Sequence, residues 1–309
     1  MKLSLVISTL GRREQLGHLF KSLAAQTMKD FEVILVDQNY GDFLKQIVEG
    51  TDWPFPLRHI RTPGEHGLSR GRNRGWPGAR GDVILFPDDD CWYPPDLFER
   101  ALELMERRSA DILAGRATDL AGRSINGRYE RRPTKVTRSN VFTTQIEWLT
   151  FFRRPALELV GGYDPDLGLG ADTPWQACEG PDIILRALRA GMTVWFDPAI
   201  IGHHEELNVV SPDAAMRAKG RAYGRGFGFV LRKHGYGLRD GAYWAARSAL
   251  NTGRSLVRGE MDQARYYAGV TLGRLEGYLR WTLGAAGRHA WPASNPQGEF
   301  RAERHIPQI

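Results

Sequence analysis

Three carboxylates in a row, Asp88, Asp89 and Asp90, follow a short apolar run from Asp82 to Phe86, and no other residues of the chain suit chemistry so well. Adjacent carboxylates repel one another unless solvent or a cation compensates them. Oxygen donors of this kind suit Mg²⁺ or Mn²⁺, so a divalent cation is the economical reading; an exposed acidic turn ahead of Pro95 is the plain alternative. Two further polar clusters end apolar runs in the same manner: Ser8 and Thr9 after Leu3 to Ile7, and Asp37 after Glu32 to Val36.

The elements that must position these residues alternate in type. Leu16, Leu19, Phe20, Leu23 and Ala24 repeat at helical spacing between the first two apolar runs, which makes a βαβ unit. Asp42 to Glu49 reads as a short helix and Leu57 to Arg61 as a strand. Ser69 could cap a helix through Arg74 that Pro77 must end, and Pro95 introduces a helix over Leu97 to Arg107. Asp111 to Ala117 returns as a strand. Short apolar runs between helices indicate an α/β fold with a mostly parallel sheet covered on both faces. Ligands bind beyond the carboxyl ends of such strands, so Thr9, Asp37 and the three aspartates should share one crevice.

Residues 120 to 140 read as an exposed excursion and Val141 to Phe152 as extended. A helix over Ala156 to Val160 stops at Gly161 and Gly162, and a helix over Asp182 to Ala190 and a strand over Thr193 to Phe196 follow. Beyond Pro212 the pattern is long, basic and helical, around Ala214 to Lys233, Tyr243 to Val257 and Asp262 to Leu283. The chain divides into a catalytic domain over 1–212, a basic helical region over 213–290 and a loose tail over 291–309.

With 42% apolar residues, 9 Trp, 13 Phe and 10 Tyr, the chain is too rich in large side chains to stay disordered. Its two cysteines, Cys91 and Cys178, give no disulfide framework and point to a reducing, cytoplasmic compartment. Leu3 to Ile7 is too short for a signal peptide, and no apolar run approaches the roughly 18 to 20 residues needed to span a bilayer. The net charge is +6, yet residues 213–309 hold 16 Lys and Arg against 7 Asp and Glu. Aromatic residues (Tyr223, Phe227, Phe229, Tyr236, Tyr243, Trp244, Tyr266, Tyr267, Tyr278 and Trp281) lie among these arginines. That mixture favours an anionic membrane surface over nucleic acid as partner, with packing against the catalytic domain or a homodimer contact as the alternatives.

Taken in order, L3-S-L-V-I-S-T-L, V33-I-L-V-D37, G67-L-S-R-G-R-N-R-G75, G81-D-V-I-L-F-P-D-D-D-C-W-Y-P-P95, G161-G-Y-D164 and E179-G-P-D-I-I-L-R186 resemble family 2 glycosyltransferases over about residues 1 to 205. The resemblance implies a GT-A fold with a C-terminal helical appendage, a nucleotide-diphospho-sugar donor, a divalent cation (Mn²⁺ or Mg²⁺) and inversion at the anomeric carbon. Carried over, Thr9 and Asp37 would hold the base and ribose, and Arg70, Arg72 and Asn73 would line the donor site. Asp88 and Asp90 would bind the metal, with Asp89 touching the sugar or ribose. His203 or His204 would be presented to the metal or diphosphate. Trp92 and Trp175 offer flat faces for an acceptor sugar, or ordinary core.

In this family the base comes from a Glu-Asp pair at the start of the helix that here begins near Pro181. Glu179 is followed instead by Gly180, so Glu179 becomes the first candidate for the base and Asp182 the second, although the helix dipole alone would favour Asp182 there. The resemblance thus implies a metal-dependent, inverting enzyme that glycosylates a saccharide or a polyprenyl-linked saccharide in bacterial surface-polysaccharide assembly, peripheral on the inner face of the cytoplasmic membrane. A catalytically silent nucleotide-sugar-binding scaffold is one alternative, suggested by Gly180. A sugar-nucleotide pyrophosphorylase is the other, disfavoured by the single Gly and absent Lys in S8-T-L-G-R-R13.

Overall fold

The alternating apolar runs form a nine-stranded sheet with helices on both faces. The computed structural model describes residues 1–280 except residue 208, and the structural statements below concern those residues. In chain order the elements are β1 (Leu3–Thr9), α1 (Glu14–Ala24), β2 (Phe31–Asp37), α2 (Lys45–Glu49), β3 (Leu57–Arg61), α3 (Leu68–Gly75), β4 (Val83–Leu85), β5 (Cys91–Trp92), α4 (Leu97–Arg107), β6 (Ile112–Thr118) and β7 (Thr134–Lys135). Two 3₁₀ turns at Val141–Thr143 and Glu147–Leu149 lead into β8 (Thr150–Arg153), α5 (Arg154–Val160), α6 (Glu179–Arg189) and β9 (Val194–His204). Three long helices follow, α7 (Ala214–Lys233), α8 (Leu238–Val257) and α9 (Met261–Leu279). The expected tail over 291–309 and the residues from Trp281 onward lie outside the described residues.

The strand order is β3-β2-β1-β4-β8-β6-β9-β5, with β7 also on β9. Strands β3, β2, β1 and β4 are parallel, as are β6 and β9; β8 runs antiparallel between β4 and β6. Every residue of β1 and β2 is buried, because both faces are covered. Leu3, Leu5 and Ile7 pack with α1 and α4, while Val6, Ile34 and Val36 belong to the core formed with α5 and α6. Helix α3 lies tight against this second face: a Cβ on Gly71 would overlap Ser8, and one on Gly75 would press on Val6 and lie 3.0 Å from Val36.

Several expectations need correction. Ser69 does not cap α3. Gly67 precedes that helix at φ 111°, and the Ser69 hydroxyl donates to the Leu167 carbonyl at 2.6 Å. The segment 141–152 is not extended throughout, since the two 3₁₀ turns intervene before β8. The excursion over 120–140 is not wholly exposed either: Ile125 and Val136 are buried and β7 adds to the sheet. Strand β9 continues past Phe196 to His204, which carries both histidines alongside β5.

Within the helical region, α7 and α9 pack through glycine. Gly220, Gly224 and Gly228 recur every fourth residue on α7, and Gly269, Gly273 and Gly277 do so on α9, which puts each set on one face. A Cβ on Gly228 would overlap the Arg274 carbonyl and lie 2.7 Å from the Tyr278 nitrogen, and one on Gly277 would lie 2.7 Å from the Phe229 nitrogen. The two backbones touch. Between them Arg225 donates to the buried Glu276 at 2.6 Å, and Arg221 pairs with the same carboxylate. Most of the aromatics expected at a lipid surface fill space inside instead. Phe227 meets Phe142 at 4.5 Å and Trp244 at 5.0 Å between ring centroids, Phe229 stacks on Trp175 at 4.6 Å, and Tyr236 and Tyr278 are buried. Tyr243 remains exposed.

Candidate active site

The carboxyl ends of β1 and β4 and the end of β9 meet around the three aspartates. Thr9, the last residue of β1, donates its hydroxyl to Asp89 at 2.7 Å. Gly11 turns the chain with φ 76°, its N–H held by the Asn39 side chain at 2.7 Å, and this returns Arg12 toward the cluster. The Arg12 guanidinium bonds Asp89 at 3.1 Å and also pairs with Asp90. From beneath, α3 delivers Arg72, only 1% exposed, whose Nη2 donates to Asp88 at 2.8 Å and whose Nη1 reaches Glu179 at 3.4 Å. The Tyr163 ring lies 4.9 Å from that guanidinium.

Adjacent residues of a strand face opposite ways, which separates the two histidines. His204 Nε2 lies 3.1 Å from Asp90, and its ring stacks on Trp148 at 5.9 Å. His203 turns to the Thr118 hydroxyl at 3.1 Å and to Trp92, so it is not brought to the carboxylates.

The electrostatics follow from burial and these cations. Burial pushes Asp89 up to about 7 against the pull of Arg12, and it raises Asp88 as well. Asp90 is held at about 2, because the hydrogen bond from His204 and the charge of Arg12 outweigh its desolvation. Burial opposes the charge on His204, yet the bond to Asp90 lifts it to about 9. Glu179 rises to about 7 through burial first and then through the neighbouring Glu147 carboxylate.

No three His, Cys, Asp or Glu side chains among the described residues are grouped closely enough to cage an ion. Asp88 and Asp90 nevertheless fit a different arrangement, in which Mg²⁺ or Mn²⁺ takes one or two carboxylates and completes its shell with substrate phosphates and water. Arg12 bridging Asp89 and Asp90 supplies positive charge at that place, and its side chain is 39% exposed.

The remaining candidates have other partners. Asp182 is fully buried among three nitrogen-bearing side chains, 2.9 Å from Arg186, 2.6 Å from Lys233 and 2.8 Å from His234, and it fastens α7 to α6 rather than facing the crevice. Asn73 spends its amide on the Tyr163 backbone, donating at 2.7 Å and accepting at 2.8 Å, which pins the loop after α5. Arg70 pairs with Asp172 at 2.6 Å across a cleft of about 540 Å³, which lies on the side of α3 away from Arg72. Asp37 is buried beside Thr9, bonded by Asn39 and by His59 at 3.0 Å. Trp175 packs on α7, and Trp92 lies half-buried on His203.

Four residues at the crevice were not anticipated: Arg12, Glu147, Lys219 and Tyr223. Lys219 and Tyr223 come from α7, where the charges of Asp88 and of Arg12 act on both. The repeating glycines of α7 were the one signal that this helix runs against other backbone.

Residues 4–158 match the family model described as glycosyl transferase family 2. The chain belongs to this family. An uncharacterised glycosyltransferase of Haemophilus influenzae is 34% identical over 105 residues, covering 34% of this chain and 35% of that protein. A dolichol-phosphate mannosyltransferase of Pyrococcus furiosus is 31% identical over 134 residues, covering 43% and 38%. The chain thus spans little more than a third of the length of these curated relatives. Among solved structures, Staphylococcus aureus TarS superposes with a TM-score of 0.56 at 15% identity, over 92% of this chain and 93% of that one. The mannosyltransferase PcManGT of Pyrobaculum calidifontis, in complex with GDP-Man and Mn²⁺, gives 0.59 at 13% identity over 89% and 86%. These likenesses establish the GT-A fold. The region that matches the family contains β1, β4 and the three aspartates. No helix among the described residues is long and apolar enough to cross a membrane.

Proposed function

We propose that this chain transfers a sugar, with inversion, from a nucleotide-diphospho-sugar to a saccharide or polyprenyl-linked saccharide acceptor, and that the aspartate crevice is the donor site. The observation that carries the reading is the convergence of Thr9, Arg12, Asp88, Asp89, Asp90 and His204 where β1, β4 and β9 end. Solved relatives in complex with UDP-GlcNAc and with GDP-Man and Mn²⁺ support such a donor.

Asp88 and Asp90 would hold a divalent cation, which when bound neutralises charge developing on the departing diphosphate. Arg12 would release the aspartates and, with Lys219, contact phosphate oxygens. Arg72 is the fixed element: its buried guanidinium keeps Asp88 and Glu179 in place and compensates their charge. In a single displacement the acceptor oxygen attacks the anomeric carbon while the bond to phosphate breaks on the opposite face and its electron pair leaves with the nucleoside diphosphate. The acceptor proton must pass to a carboxylate at the crevice floor, where Glu179 and Glu147 are neighbours.

The region over 213–280 contributes α7 to the crevice and turns α8 outward. Leu250, Val257, Arg254 and Arg258 line an open groove on α8, and Val257 is 90% exposed. That face suits the anionic inner surface of the cytoplasmic membrane, where a polyprenyl-linked acceptor would be met, in keeping with surface-polysaccharide assembly. A thermal-shift screen of nucleotide sugars with Mn²⁺ tests the donor reading. One or more donors should raise the melting temperature only with the metal, and no response to any of them would refute it.

A further inference from the structure

Gly180 occupies the position where the acidic pair at the start of α6 would place its second carboxylate. Its backbone is not left-handed, so conformation does not demand glycine. The demand is steric: a Cβ at residue 180 would overlap Glu147 Cγ and lie 2.6 Å from Oε1 and 2.7 Å from Cδ. The Glu147 side chain fills the volume that a residue-180 side chain would take, and the Gly180 backbone N–H acts on its carboxylate, lowering its pKa against the effect of burial.

The surroundings fix that placement. Glu147 opens the 3₁₀ turn Glu147–Leu149, and the next residue, Trp148, is 3% exposed, stacks on His204, and has its carbonyl bonded by Tyr93 Oη at 2.6 Å. The groups whose charges act on Glu147 are Arg72 and Asp88, and Glu147 in turn acts on Glu179, Tyr163, Tyr223 and Cys178. No cation forms a salt bridge with it among the described residues. Glu179 differs in that Arg72 forms a salt bridge with it at 3.4 Å.

We propose, resting on the glycosyl-transfer reading above, that Glu147 is the catalytic base of this chain: its carboxylate reaches from the turn before β8 into the place Gly180 leaves open and takes the acceptor proton, while Glu179 is a positioning residue that holds Arg72. The acceptor O–H bond breaks toward Glu147 as the new bond to the anomeric carbon forms, and the leaving nucleoside diphosphate carries off the electron pair. Burial raises the Glu147 pKa, which suits a proton acceptor.

A helix cap would account for the Gly180 contact alone, so the test must separate capping from basicity. Glu147→Gln retains an oxygen for the Gly180 N–H and removes the charge. Full-length wild type, Glu147→Gln and Glu179→Gln are assayed for Mn²⁺-dependent release of nucleoside diphosphate from UDP-GlcNAc and GDP-mannose, with calorimetric UDP and GDP affinities and melting temperatures. Glu147→Gln should lose about 10²-fold or more in turnover, with nucleotide affinity and melting temperature unchanged. Glu179→Gln should lose less. The exchange variant Glu147→Gly with Gly180→Asp returns a carboxylate to α6 and should recover turnover at least about tenfold over Glu147→Gly alone. Glu147→Gln within threefold of wild type, or a full loss in Glu179→Gln alone, would overturn the assignment and leave the glycosyl-transfer reading standing. Wild type inactive on both donors, with no Mn²⁺-dependent UDP or GDP binding, would overturn both.

Discussion

Replacing Gly228 with alanine should loosen α7 from α9 within the helical region. The added methyl would overlap the Arg274 carbonyl and lie 2.7 Å from the Tyr278 nitrogen, whereas an unstrained carbon needs about 3.4 Å or more, so α7 and α9 must part by roughly 1 Å. Overpacking of this kind costs about 1–3 kcal/mol. The three atoms it would meet are all backbone and at 2.9 Å or less, which places the cost in the upper part of that range, about 2–3 kcal/mol; alanine returns about 1 kcal/mol through helix propensity, leaving a net loss of about 1–2 kcal/mol. At roughly 2–4 °C per kcal/mol for a large domain, calorimetry should read a fall of about 2–8 °C in melting temperature. Gly253→Ala in α8 is the control, since nothing lies within 4 Å of its Cβ, and it should hold or raise the melting temperature. Because α7 carries Lys219 and Tyr223 to the crevice, Gly228→Ala should also lower turnover well below its melting temperature. Identical thermograms for the two variants would refute the reasoning that backbone contact holds these helices together.

Asp182 is held at about 2 because its bonds to His234, Lys233 and Arg186 outweigh the cost of its burial. Its stabilisation, about 2 kcal/mol, is therefore complete above pH ~4 and fades as pH falls toward 2, so urea titrations of wild type and Asp182→Asn should differ at pH 6 and converge near pH 2. Trp175→Ala removes the stack on Phe229 and should lower the melting temperature; an acceptor KM that rises with stability unchanged would instead mark Trp175 as a sugar platform. Vesicle co-sedimentation should show binding to anionic liposomes at low salt, weakened by salt and by Arg254→Glu with Arg258→Glu, and equal binding to neutral liposomes would remove the membrane proposal.

Where periodicity is strong and local, the sequence predicts elements well: the bounds of α4 at Leu97–Arg107 and α7 at Ala214–Lys233 are as expected. The aspartates were legible because a buried strand ends just before them, and Thr9 because β1 ends beside β4. What failed depended on partners distant in sequence. Asn73 sits in a motif that suggests phosphate binding, yet its amide matches a backbone pair at Tyr163, and nothing local to residue 73 reveals that pair. Asp182 looks like any acid in a first helical turn until α7 brings Lys233 and His234 onto it. Glu147 was hidden in a stretch read as extended, and nothing local to residue 147 reveals that its side chain packs against Gly180. The inward packing of the C-terminal aromatics could not be read from charge counts, although glycines spaced by four on α7 and α9 announce close helix contact.

The central claim, that Asp88 and Asp90 form a metal-assisted site for a nucleotide-diphospho-sugar, is tested most directly by titrating UDP and GDP into wild type, Asp88→Ala and Asp90→Ala in a calorimeter with and without Mn²⁺. The account predicts Mn²⁺-dependent binding of at least one nucleotide by wild type, lost in both variants while their melting temperatures stay near that of wild type. Nucleotide affinity that is the same in all three proteins, or indifferent to Mn²⁺, would contradict it.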